Sequence, residues 1–117
     1  MAHLATVALV VEVARRLGST QLVPCASAAY LAQHGAPLAP EELVRHQALT
    51  YAYVAAPFQW RLADAAGASH EVRVGGPLHA NSGELLVAAA VAGMGIVLEP
   101  DFVVAPHLAR GELQRVL

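Results

Sequence analysis

The sequence predicts an α/β domain, on three observations. Short runs rich in Val and Leu alternate along the chain with segments of helical character. Ser, Asn and Pro stand where helices would begin, and Gly stands where they would end. Between residues 58 and 76, two strand-like runs flank the turn AAGA, a hairpin signal. Such an alternation lays helices on the faces of a sheet.

Taken in order, residues 4–13 (LATVALVVEV) favour a strand, although their alanine content leaves a helix open. GST at 18–20 is a turn, and QLVPCA at 21–26 is a second strand. Pro24 has no amide donor, so that strand is an edge there or begins after it. Ser27 suits the N-cap of a helix reaching about His34, with Gly35 as a left-handed terminator. A second short helix follows in PLAPEELVRH, with Pro40 near its first turn and Glu41 and Glu42 at its positive end. QALTYAYV (47–54) reads as a strand with Leu49, Tyr51 and Tyr53 on one side. After the hairpin comes a short strand over Leu78–Ala80. Asn81 then precedes Glu84 by three residues, as in a capping box, which predicts a helix from Ser82 to about Ala92. Leu85, Leu86, Ala89 and Ala92 fall near one face, and Gly93 ends the helix. IVLE (96–99) is a buried strand. Pro100 and Pro106 each open a short helix, Gly111 is a stop, and a last strand closes the sequence.

Composition narrows the function. At 117 residues the chain is one domain, 56% hydrophobic and 14% charged. Soluble domains average about 25% charged, so part of this apolar surface is expected to meet a partner. The net charge is −2, and all seven basic residues are arginine. No basic face for nucleic acid follows from this, and direct contact with DNA is not expected. The lone Cys25 rules out an internal disulfide framework and fits a reducing compartment. The apolar N-terminus is broken by Glu12, short of the ~20 residues of a membrane span, and has no basic leader. No membrane partner and a cytoplasmic location are therefore expected.

Catalytic and metal chemistry find little support. The six histidines, at 3, 34, 46, 70, 79 and 107, share no helical spacing, and there is no Cys-x-x-Cys. His34 and His46 read as helix C-terminal residues answering the dipole, and Cys25 as a small core hydrophobe. No nucleophile elbow, phosphate loop or close carboxylate pair beyond Glu41–Glu42 occurs. No enzyme activity, metal or cofactor is expected.

The corner at Asn81 and Ser82 is different. A helix that starts at the carboxyl end of a strand offers free amides and a positive dipole, and open α/β sheets bind ligands outside such ends. Tyr51 and Tyr53 would add an aromatic wall with hydroxyl handles, and Glu99–Pro100 another lip. The alternative is that Asn81 is only a cap and both tyrosines are core.

The run RRLGSTQLVPCASAAYLAQHGAPLAPEELVRHQALTY resembles the start of the second subdomain in effector-binding domains of LysR-type transcriptional regulators. The matching pieces are the Arg15–Ser19 turn, the Ala26–Pro37 helix segment and the Pro40–His46 segment. WRL, LHANSGE, AAAVAGMGIVLEPDF and LARGELQRVL then follow the family in order, so the likeness runs from residue 15 to 117. It implies a periplasmic-binding-protein-like (type II) subdomain, a mixed sheet flanked by helices. Two such subdomains close on a small organic effector, often acidic or aromatic. The family's effector cleft maps onto Tyr51, Tyr53, Asn81 and Ser82, with Glu99 and Pro100 on the adjoining strand end. A carboxylate at Glu99 would repel an anionic effector unless an arginine paired with it.

Residues 1–14 do not resemble the family, and no helix-turn-helix or first subdomain precedes them, so the stretch is expected to be a truncated form. An exposed sheet edge would then invite a homodimer, and the strand 4–13, from this chain or a partner's, is expected to cover it. Two functions stay open: an effector-sensing module of a transcriptional regulator, or a remnant acting as a dimerisation domain without ligand.

Overall fold

The computed structural model describes residues 22–117 apart from positions 53, 55 and 65. The expected strand at 4–13 and the turn at 18–20 lie outside the described residues.

The strands are β1 (Leu22–Ala26), β2 (Gln47–Tyr51), β3 (Gln59–Ala63), β4 (Ser69–Arg73), β5 (Gly75–Ala80), β6 (Ile96–Pro100) and β7 (Gln114–Arg115). The α-helices are α1 (Ala28–His34), α2 (Gly83–Val91) and α3 (Asp101–Ala109), with a 3₁₀ helix over Pro40–Arg45. Five strands form one mixed sheet in the order β5-β2-β6-β1-β7. β5, β2 and β6 run parallel, whereas β1 is antiparallel to both β6 and β7. β3 and β4 form the expected hairpin, Gln59 opposite Arg73, but as a separate two-stranded sheet.

Alternation along the strands divides the core into two layers. Val23, Cys25, Leu49 and Val97 pack against Leu86 and Ala90 of α2 and Val104 of α3. On the other face Ala26, Ala48 and Ile96 meet Tyr30, Leu43, and the hairpin side chains Trp60, Leu62, Val72 and Val74. Cys25 is fully buried, and burial pushes its thiol up to about 11, as suits a core hydrophobe.

The local signals hold where they are chemical. Ser27 caps α1 by accepting the Tyr30 N–H at 3.1 Å. α2 ends in a Schellman motif: Gly93 N–H donates to Ala90 O and Met94 N–H to Ala89 O, both at 3.0 Å, with Gly93 at φ 90°. Gly111 repeats the device after α3, with its own N–H on Leu108 O and that of Glu112 on His107 O.

Several expectations are corrected. Pro24 lies inside β1, which is an interior strand of the sheet. The short β7 pairs only with Cys25 and Ala26, so the missing amide interrupts little of the ladder. Gly35 has positive φ (78°) but ψ of 156°, outside the left-handed helical region. The Pro40 segment is 3₁₀ rather than α. β2 stops at Tyr51, and β5 begins at Gly75 rather than Leu78. Pro106 does not open a new helix: α3 runs through it, held by packing on β1 and β6. Leu85 is half exposed and Ala92 exposed, because the buried face of α2 centres on Leu86 and Ala90, with Val87 and Ala89 flanking, and leaves both at its rim. His46 stands at the C-cap of the 3₁₀ helix, as expected, but its ring turns to a hydrogen bond. Its Nδ1 lies 2.8 Å from the Tyr30 hydroxyl, and burial, chiefly, lowers its pKa.

Candidate functional site

The three parallel strands end along one edge. Tyr51 closes β2 opposite Ala80, which closes β5. The β2–β6 register, Leu49 opposite Val97, sets Tyr51 beside Glu99 two residues further on. Leu22, at the start of β1, faces Pro100. α2 begins just after β5 and α3 directly after β6, so both helices point their positive ends at this edge.

Ser82, not Asn81, caps α2: its Oγ accepts the Leu85 N–H at 3.2 Å. Both residues have cap chemistry, and the extended backbone of Ser82 (φ −126°, ψ 120°) decides between them. Glu84 therefore stands at the second helical position, and the capping box does not form. Asn81 is exposed beside the helix start.

Gly83 becomes the first helical residue, and its lack of a side chain is structural. A Cβ there would collide with the Tyr51 hydroxyl and lie 3.4 Å from Glu99 Oε1. The first turn of α2 thus rests directly on a buried polar pair. Tyr51 donates its hydroxyl to Glu99 Oε1 at 2.8 Å, and Glu99 is only 1% exposed. Burial pushes the Glu99 carboxyl up to about 7, with the Tyr51 hydrogen bond opposing. Burial first, and then the charge and hydrogen bond of Glu99, push the Tyr51 phenol far above its ordinary value. Tyr51 is therefore a permanent donor, and the carboxyl is balanced between its two forms near neutral pH. Among the described residues, the partner of Glu99 is this phenol rather than an arginine.

Chemically, the edge presents the Gly83 and Glu84 amides, which have no partner within the helix, beside the Ser82 hydroxyl. That arrangement suits an anionic or hydrogen-bond-accepting group. Of the residues named from sequence, Tyr51, Asn81, Ser82, Glu99 and Pro100 meet at this edge, with Pro100 buried at the start of α3. Tyr53 lies outside the described residues. Sequence reasoning missed Gly83, although a glycine at the first position of a helix, in Ser-Gly-Glu, is itself a sign of close approach. It also missed His79, on the opposite face of the sheet at this end. His79 Nδ1 lies 2.7 Å from the buried Thr50 Oγ1, and its ring stacks on half-exposed Phe58 at 4.9 Å.

Away from this edge, His70 bridges the 3₁₀ helix and the hairpin, with Nδ1 3.0 Å from Glu41 and Nε2 2.7 Å from Asp64. Among the described residues, no group of three or more His, Cys, Asp or Glu is placed to hold a metal ion. No described helix is long and apolar enough to cross a membrane.

Architecture and structural neighbours together define the class: a periplasmic-binding-protein-like (type II) subdomain, with a mixed sheet flanked by helices. The chain belongs to the LysR substrate-binding domain family, whose sequence profile matches residues 12–117. It is 36% identical over 100 residues to the HTH-type transcriptional regulator CrgA of Neisseria meningitidis, a match covering 86% of this chain and 33% of CrgA. To the HTH-type transcriptional regulator DmlR of Escherichia coli it is 35% identical over 106 residues, 90% of this chain and 34% of DmlR. The chain thus spans about a third of the length of these curated relatives. Among solved structures, the regulatory domain of AphB in Vibrio vulnificus superposes with a TM-score of 0.75 at 28% identity, over 84% of this chain and 48% of that one. The CrgA regulatory domain gives 0.72 at 35% identity, over 84% and 48%.

Proposed function

We propose that this chain is an effector-sensing module of a LysR-type transcriptional regulator. It binds a small organic molecule, acidic or aromatic, at the edge formed by Tyr51, Tyr53, Asn81, Ser82, Glu99 and Pro100. The observation that carries this reading is the buried Glu99–Tyr51 pair under the first turn of α2, where three parallel strands end. A buried carboxyl without a compensating cation among the described residues costs stability, and such groups cluster at functional sites. Free helix amides beside it supply the polar recognition. The names of the relatives support a role in transcription regulation, hence a cytoplasmic place, and binding rather than catalysis. With a net charge of −2, this stretch would not itself grip DNA. Residues 15–117 form the effector-binding unit in this reading, and the protein works as a homodimer, which light scattering over a dilution series tests directly.

The ligand test is a thermal-shift screen of small organic acids against the wild type and Ser82→Asp. Aspartate keeps the N-cap while adding a negative charge at the helix start. A ligand present at 100 times its Kd would stabilise the wild type by about 2.7 kcal/mol. The variant should fold equally well and lose that gain. Equal stabilisation of both proteins would place binding elsewhere.

A further inference from the structure

We propose that the apolar stretch 4–13 of this chain folds back onto the rim of the strand-end edge, against Leu22, Leu85 and Phe102. The inference goes beyond the ligand-binding reading above and does not depend on it.

Large apolar side chains gather at this end of the sheet. Leu22 is 38% exposed, Leu85 50% and Phe102 51%. Leu22 opens β1 opposite Pro100, and Phe102 lies two residues beyond Pro100, in the first turn of α3. Leu85 lies in the first turn of α2. Both helices cover the same face of the sheet, through Leu86 and Val104, and both lie over β1 and β6, so their first turns are neighbours. Single exposed apolar residues are ordinary, whereas three gathered at one rim mark a contact surface.

The occupant follows from where the chain enters. Leu22 stands at this rim, so residues 1–21 lead to it directly. Within them, LATVALVVEV has eight apolar residues in ten, and such a stretch gains by leaving water. Positions 14–21 connect it to β1 and can span up to about 26 Å, ample to return over the rim. Charge agrees with that path: Arg15 and Arg16 lie in the connection, and the exposed Glu84 and Asp101 lie in the first turns of α2 and α3. The sheet's own edges suit the stretch less well. β5 begins with Gly75, Gly76 and Pro77, a poor template for a further strand. β7 has two residues and lies at the far end of β1, opposite Cys25 and Ala26.

The test is paramagnetic broadening of amide signals in the isotope-labelled full chain, with a nitroxide attached at Val10→Cys. Cys25 is fully buried, so the tag reacts with the new thiol. The amides of Leu22, Leu85 and Phe102 should lose their signals, while those of Gln47, Ile96 and Arg115, at the other end of the sheet, keep theirs. Loss centred on Gly75–Pro77 or on Gln114–Arg115 would put the stretch on a sheet edge and overturn the proposal, as would signals unchanged throughout. A second sample mixes tagged chain of natural isotopes with untagged labelled chain and should show no broadening. Broadening of the rim in that mixture would assign the cover to a second copy and overturn the fold-back. Leu85→Ser combined with Phe102→Ser alters two exposed side chains, so the domain should still fold and the rim signals should return. Undiminished broadening in that double variant would refute the apolar contact.

Discussion

Gly83→Ala is the most informative single change in this structure. The added methyl would occupy the place of the Tyr51 hydroxyl, so the phenol must swing away from Glu99. The ring carbon behind the hydroxyl lies 3.4 Å from that methyl, so with the oxygen gone the fit is snug but tolerable. At pH 8, where Glu99 is mostly ionised, losing its donor costs about 1.5–3 kcal/mol. Alanine returns up to about 1 kcal/mol through helix propensity. The net loss is then about 1–2 kcal/mol, a fall in Tm of several degrees. Tyr51→Phe removes the same hydrogen bond without the clash. Urea denaturation of wild type, both single variants and the double variant closes a cycle. Gly83→Ala should cost little or even stabilise on the Tyr51→Phe background, giving a coupling of about 1.5–3 kcal/mol. An equal cost on both backgrounds would refute the contact between α2 and the buried pair.

Three further outcomes follow from contacts of Glu99, His70 and Tyr30. Glu99 titrates near 7 when folded and near 4.3 when unfolded, so its protonated form favours the native state. The contribution is complete below about pH 4 and is lost as pH rises through 7, about 4 kcal/mol in all. Glu99→Gln should flatten that slope in denaturation curves from pH 4 to 8, and parallel curves for the two proteins would contradict it. His70 has its pKa raised, first by the hydrogen bond to Asp64 and also by the charge of Glu41. Its stabilising effect is present below its unfolded value and disappears as pH rises through the folded one, and Asp64→Asn should lower the midpoint in an NMR titration. Tyr30→Phe leaves the Gln47 N–H and the His46 Nδ1 without their common partner and should cost about 1–3 kcal/mol in urea denaturation, while a loss below about 0.5 would count against that network.

What the sequence made legible was what a few neighbouring residues decide. Ser27, Gly93 and Gly111 act through their own backbones, and each ends or begins a helix as its chemistry demands. The hairpin is readable for the same reason, since Gly67 closes a local turn. Pro106 misleads because the packing of α3 against β1 and β6 outweighs one lost hydrogen bond. Strand order is non-local: β6 lies between β2 and β1, a neighbourhood no local pattern encodes. The site shows both sides of this divide. The corner at Asn81 and Ser82 could be located from strand-to-helix chemistry and the family likeness. The bond joining Tyr51 to Glu99 could not, because 48 residues separate them and only the parallel pairing of β2 with β6 brings them together. The choice of Ser82 over Asn81 as cap shifts α2 by one residue, and Gly83 gains its role from that shift.

The central claim is that small organic acids are held at the start of α2. Backbone amide shift mapping of the labelled chain during titration with succinate and benzoate tests it most directly. The account predicts the largest shifts at Ser82, Gly83 and Glu84, with smaller ones at Tyr51 and Glu99. Shifts confined to the β3–β4 hairpin, or none with either acid, would contradict it.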